Sequence, residues 1–98
     1  MMSTSPAMTA LSRELLIVNK RGLHARASAK FVQMVETFDA AVTVSKDGMT
    51  VGGTSIMGLM MLAASPGTTV LVSACGNQAA EALNALDHLV QDKFGEEM

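Results

Sequence analysis

Hydrophobic and polar positions follow two different periods along this chain, and the switches between them mark short elements. Residues 11–19, LSRELLIVN, are aliphatic and bounded by polar residues, which predicts a strand. Lys20-Arg21-Gly22 then turns the chain. From Ala25 onward the apolar residues Ala27, Phe31, Met34, Val35 and Phe38 trace one helical face, opposite Arg26, Lys30, Gln33 and Glu36. A period of two returns afterwards. Val42 and Val44 alternate with Thr43 and Ser45, and Met49 and Val51 flank Thr50. Asp47-Gly48 between these runs supplies the positive backbone angles of a tight hairpin turn.

The second half repeats the alternation of element types. Gly52-Gly53-Thr54 breaks the strand, and Ser55 is a good N-cap for a short helix through about Ala63. Ser65-Pro66-Gly67 closes that helix. The β-branched run TTVLVSA predicts a further strand. Gly76-Asn77 leads into a last helix with a stripe of Ala79, Ala82, Leu83, Leu86, Leu89, Val90 and Phe94, ended by Gly95. The predicted order is β-α-β-β-α-β-α. Its economical packing is α+β: an open-faced β-sandwich, a four-stranded antiparallel sheet with three helices on one face. The expected organisation is a disordered tail over residues 1–10, one domain over 11–95 and an acidic tail over 96–98, taken as a solubility feature.

Composition narrows the function classes. Ninety-eight residues with 49% hydrophobic content suit one compact core. The longest apolar run, IMGLMMLAA, is too short to span a membrane, and MMSTSPAMTA lacks the basic and apolar regions of a secretory signal. A cytoplasmic setting is expected. The single cysteine, Cys75, excludes an internal disulfide and any multi-cysteine metal site, and no metal or cofactor is expected. A net charge of −2, no basic cluster, and three Phe without Tyr or Trp argue against nucleic acid as a partner.

Chemistry concentrates at the start of the first helix. In RGLHARASAKF, His24 falls at the N-cap, where Ser, Thr, Asp or Asn would serve stability better. The unpaired N–H groups of Ala25, Arg26 and Ala27 converge there, and the helix dipole adds positive charge. An anion on the ring would meet those donors at once. Arg26, two residues on, carries a planar, permanently charged fork suited to phosphate oxygens. A charge-assisted hydrogen bond contributes about 1.5–3 kcal/mol, enough to orient a phosphoryl group without trapping it. That balance suits a carrier. The glycines of GMTVGGTS lack the Lys-Ser/Thr ending of a P-loop.

GLHARAS, followed some thirty residues later by TSIMGLMMLAASPG within this element order, resembles the phosphocarrier HPr family of the phosphoenolpyruvate-dependent phosphotransferase system. The resemblance spans nearly the whole domain. It implies a phosphorylated relay protein rather than a standalone enzyme, taking phosphate from enzyme I and passing it to a IIA protein. By position it makes His24 the phosphoryl acceptor, through Nδ1, and Arg26 the neighbouring phosphate-stabilising arginine. Ser55 matches the serine that an HPr kinase modifies in some bacteria. Ala27 stands where the family usually has proline, and is similar to sequences of the nitrogen-type NPr branch. The sugar and nitrogen branches both remain open.

Residues 55–63 are almost wholly apolar, so a short surface helix cannot bury them all. Leu59 and Leu62 share the core face, which leaves Ile56, Met57 and Met60 as an adaptable docking patch. The protein is expected to act as a monomer. His88 on the polar side of the last helix, and Cys75 at a strand end, read as structural. Two rival functions compete with the carrier: a regulatory module that docks partners through this patch without relaying phosphate, and a small ligand-binding domain of the ACT or ferredoxin-like kind.

Overall fold

The computed structural model describes residues 10–96. Residues 1–9 of the predicted 1–10 tail and the last two residues lie outside that range. Seven elements follow in the expected order: β1 (Leu11–Leu16), α1 (Ala25–Glu36), β2 (Ala41–Lys46), β3 (Met49–Gly52), α2 (Ile56–Met61), β4 (Thr69–Cys75) and α3 (Ala79–Gln91). The strands form one sheet in the order β1-β4-β2-β3, with every neighbouring pair antiparallel.

Alternation along the strands decides which face is covered. Leu15 of β1, Val42 and Val44 of β2, and Val70, Val72 and Ala74 of β4 are buried, while Leu16, Thr43 and Leu71 between them are exposed. The covered face meets Ala27, Phe31 and Val35 of α1, Leu59 of α2, and Ala82, Leu83, Leu86 and Val90 of α3. Val44 and Val72 sit opposite each other in the register, both fully buried. Each such side chain contributes about 1.5–3 kcal/mol on leaving water. The hairpin between β2 and β3 turns on Asp47 at φ 51° and Gly48 at φ 84°, as the Asp-Gly pair predicts.

Three features differ from the sequence expectation, each for a physical reason. β1 ends at Leu16 rather than at Asn19. Ile17 still exchanges backbone hydrogen bonds with Thr68 and Gly67, but Asn19 turns inward and is fully buried. α1 buries Ser28 and Val32 beside its predicted face, and the Ser28 hydroxyl donates to the Leu23 carbonyl. α3 stops at Gln91, four residues before Gly95. Lys93 and Phe94, both at φ 56°, and Gly95, at φ 78°, reverse the chain in a left-handed turn. Phe94 therefore reaches the core from this turn instead of extending the helical stripe. Left-handed backbone costs roughly 1–2 kcal/mol per non-glycine residue. Complete burial of Phe94 contributes about 1.5–3 kcal/mol, and the Lys30 ammonium donates to its carbonyl at 2.7 Å.

Candidate functional site

His24 is the N-cap of α1, in extended backbone, and its side chain makes no capping hydrogen bond. The first intrahelical bond runs from the Ser28 N–H to the His24 carbonyl at 2.8 Å. No backbone acceptor among the described residues takes the N–H groups of Ala25, Arg26 or Ala27. The predicted cluster of donors at the helix start is therefore present. Arg26 is exposed, and no described residue holds it by a hydrogen bond or ion pair. Its guanidinium is available to a ligand rather than committed to the fold.

Gly22 fixes the approach of the loop. At φ 66° it occupies the left-handed region, and a Cβ there would lie 2.2 Å from the Ala64 carbonyl oxygen. Only glycine fits. The next residue, Leu23, donates its N–H to that same carbonyl at 3.0 Å, and the Gly22 carbonyl accepts from the His24 N–H at 2.9 Å. The histidine loop is thus tied to the segment that follows α2.

Sequence reasoning missed the residue that touches the ring. Glu96, expected in a solvated acidic tail, folds back so that its Oε2 meets His24 Nε2 at 2.5 Å. Its other oxygen, Oε1, accepts from Asn19 Nδ2 at 3.1 Å. The Asn19 amide also donates to the Gly22 carbonyl at 2.9 Å, while its Oδ1 is buried without a partner among the described residues. The amide is held by its donors. Partial burial works against the Glu96 charge, but hydrogen bonds from Asn19 and His24, with the positive field of Arg21, bring its carboxyl below the usual range. A charged carboxylate only accepts, so His24 Nε2 carries the proton. Nδ1 is left as the ring nitrogen with an available lone pair, and it has no partner among the described residues.

The second motif behaves as its pattern predicts and extends one residue further. Ser55 caps α2, its Oγ accepting from the Gly58 N–H at 2.9 Å. Leu59 and Leu62 are buried, whereas Ile56 is 41%, Met57 71% and Met60 41% exposed. Met61, not predicted for the patch, is 61% exposed beside them. α1 and α2 pack against each other, and the Leu23 N–H bond to the Ala64 carbonyl joins the two motifs. His88 is exposed on α3, and Cys75 is half-buried at the end of β4. No group of three or more potential metal ligands occurs among the described residues, and no helix there is long and apolar enough to cross a membrane.

Comparison with known proteins gives this arrangement a family. A family model described as the PTS HPr component phosphorylation site matches residues 11–92. The phosphocarrier protein HPr of Neisseria meningitidis serogroup A is 49% identical over 86 residues, covering 88% of this chain and 97% of that protein. The phosphocarrier protein NPr of Shewanella violacea is 39% identical over 89 residues, covering 91% and 98%. The crystal structure of HPr from Thermoanaerobacter tengcongensis superposes with a TM-score of 0.81 at 45% identity, covering 93% of this chain and all of that one. The ACT-like reading falls away. With the fold, the histidine motif and the relatives in agreement, the chain belongs to the HPr family of phosphotransferase-system phosphocarriers.

Proposed function

We propose that the protein accepts a phosphoryl group from enzyme I on Nδ1 of His24 and passes it to a IIA protein. The observation that carries this reading is the division of labour on the ring. Nε2 is engaged by Glu96, while Nδ1 keeps its lone pair at the start of a helix whose first three N–H groups have no backbone acceptor among the described residues. The N–H groups of Ala25, Arg26 and Ala27 and the fork of Arg26 bind the phosphoryl oxygens. Alanine at position 27 adds a donor that proline would lack. The protein works in the cytoplasm as a monomer, without a metal or cofactor, and is consumed and regenerated as a substrate of its partners.

Docking uses Ile56, Met57 and Met60, with Met61 at the edge. Methionine suits a face that must fit both a donor and an acceptor, because its flexible thioether repacks cheaply. Ser55 is the regulatory position: it is exposed, and its phosphate, added by an HPr kinase, would sit at the positive end of α2 beside this patch. Incubation with enzyme I and phosphoenolpyruvate tests the reading. An acid-labile gain of one phosphoryl group on His24, chased onto a IIA protein, supports it. Binding of partners without any label would instead favour the regulatory module. Chasing the label onto sugar-type and nitrogen-type IIA proteins in parallel separates the two branches.

A further inference from the structure

We infer that Glu96 is a positioning residue for the phosphoryl relay: braced by Asn19, it keeps the proton on His24 Nε2 both before and after transfer. This rests on the reading that Nδ1 of His24 takes the phosphoryl group. The geometry gives the carboxylate two fixed donors, His24 Nε2 on one oxygen and Asn19 Nδ2 on the other. Both side chains of this hydrogen-bonded pair are largely enclosed, at 13% and 14% exposure. The left-handed turn over Lys93, Phe94 and Gly95 brings Glu96 there, with Phe94 buried and its carbonyl held by Lys30. The titratable group facing the carboxylate is His24 at the α1 start, and the charged one is Arg21 on the preceding loop.

The chemistry explains why a retained proton matters. The Nδ1 lone pair forms the N–P bond as the donor's bond to phosphorus breaks and the donor's leaving group departs with that electron pair. The ring then carries a positive charge shared with Nε2–H, facing Glu96. When an acceptor nucleophile attacks phosphorus, the N–P electrons return to Nδ1 and a neutral ring leaves, its Nε2–H intact. No proton enters or departs. Loss of the Nε2 proton from the phosphorylated ring would force an imidazolate to leave, which is a far poorer leaving group. Glu96 opposes that loss, so the carrier stays ready to donate as the pH rises.

The test compares wild type, Glu96→Gln, Glu96→Asp and Glu96→Ala in transfer from His24 to a IIA protein between pH 6 and 9. Nitrogen-15 NMR of the phosphorylated ring is recorded over the same range. For Glu96→Gln and Glu96→Ala the alkaline fall in transfer rate should move about one unit to lower pH, as expected for removal of an adjacent opposite charge. The loss of rate should be smallest near pH 6, and the Nε2 resonance should change from protonated to deprotonated at the same lower pH. Glu96→Asp, which keeps the charge, should restore most of the wild-type profile. A uniform loss of rate at every pH, or unchanged profile and resonances, would overturn the inference while leaving the carrier reading standing. Absence of label on wild-type His24 would overturn both.

Discussion

α1 and α2 begin in similar ways and put their first turns to different uses. Each is preceded by a residue in extended backbone, His24 before α1 and Ser55 before α2. Ser55 closes its helix with its own side chain, whereas His24 makes no capping bond and turns its ring to Glu96. A side-chain cap contributes about 1 kcal/mol, and α1 forgoes it. α1 tolerates the loss because twelve residues bury Ala27, Phe31 and Val35 against the sheet. α2 has only six residues with Leu59 buried, so its cap matters more. Surroundings differ as well. The α1 start gathers Asn19, Arg21, Arg26 and Glu96, while the α2 start exposes Ile56, Met57, Met60 and Met61. One helix end presents polar and charged side chains, the other an exposed apolar surface.

Mutations at the two ends should separate along this line. His24→Ala gives the largest effect: labelling by enzyme I should vanish in a protein that keeps its circular dichroism and a cooperative melt. Undiminished labelling would remove His24 from the relay. Arg26→Ala comes next. Loss of a charge-assisted bond of about 1.5–3 kcal/mol should slow transfer by roughly ten- to a hundredfold in rapid-quench measurements. Its Tm should hardly move, because no described residue pairs with Arg26. A lower Tm with normal transfer would make it structural.

The α2 end should respond in binding rather than chemistry. Aspartate is as good an N-cap as serine, so Ser55→Asp should fold normally. On the proposed docking it places a carboxylate beside a contact that excludes water, and calorimetric titration should show enzyme I binding weakened by roughly 1–3 kcal/mol. Met57→Ala should weaken binding by about 1 kcal/mol. Normal binding by Met57→Ala would remove the patch from the interface. Ser55→Ala sharpens the contrast between the caps: it should lower stability in urea by about 1 kcal/mol. The smallest effect belongs to Ala27→Pro. Proline is tolerated in a first helical turn, so stability and transfer should stay within about 0.5 kcal/mol of wild type.

The contrast also shows where sequence reading works. The hairpin was legible because Asp47-Gly48 separates two alternating runs, and α1 because its apolar spacing closes on one face. The Ser55 cap and the buried pair Leu59 and Leu62 follow from local pattern in the same way. Glu96 was hidden. It lies 72 positions from His24, and only Gly95 of the three left-handed residues advertises the reversal that carries it there. Phe94 reads as the last position of a helical stripe, yet complete burial holds it in a turn instead. Asn19 likewise looked like the polar end of a strand, because its partners are a loop carbonyl and a distant carboxylate. Contacts made within one element were legible; contacts assembled by tertiary packing were not.

The hydrogen bond from the Leu23 N–H to the Ala64 carbonyl has a consequence for the speed of the relay. It fastens the histidine loop to the far end of α2, and Gly22 packs so closely beside the same carbonyl that no side chain would fit between the two segments. On the proposed reading, a partner that seats on the methionines finds the ring already in place. The encounter then needs one orientational search instead of two, and no closing motion follows it. Association without rearrangement keeps to the upper part of the usual range, about 10⁵–10⁷ M⁻¹s⁻¹. A shuttle that must find a donor and then an acceptor in every cycle gains that saving twice.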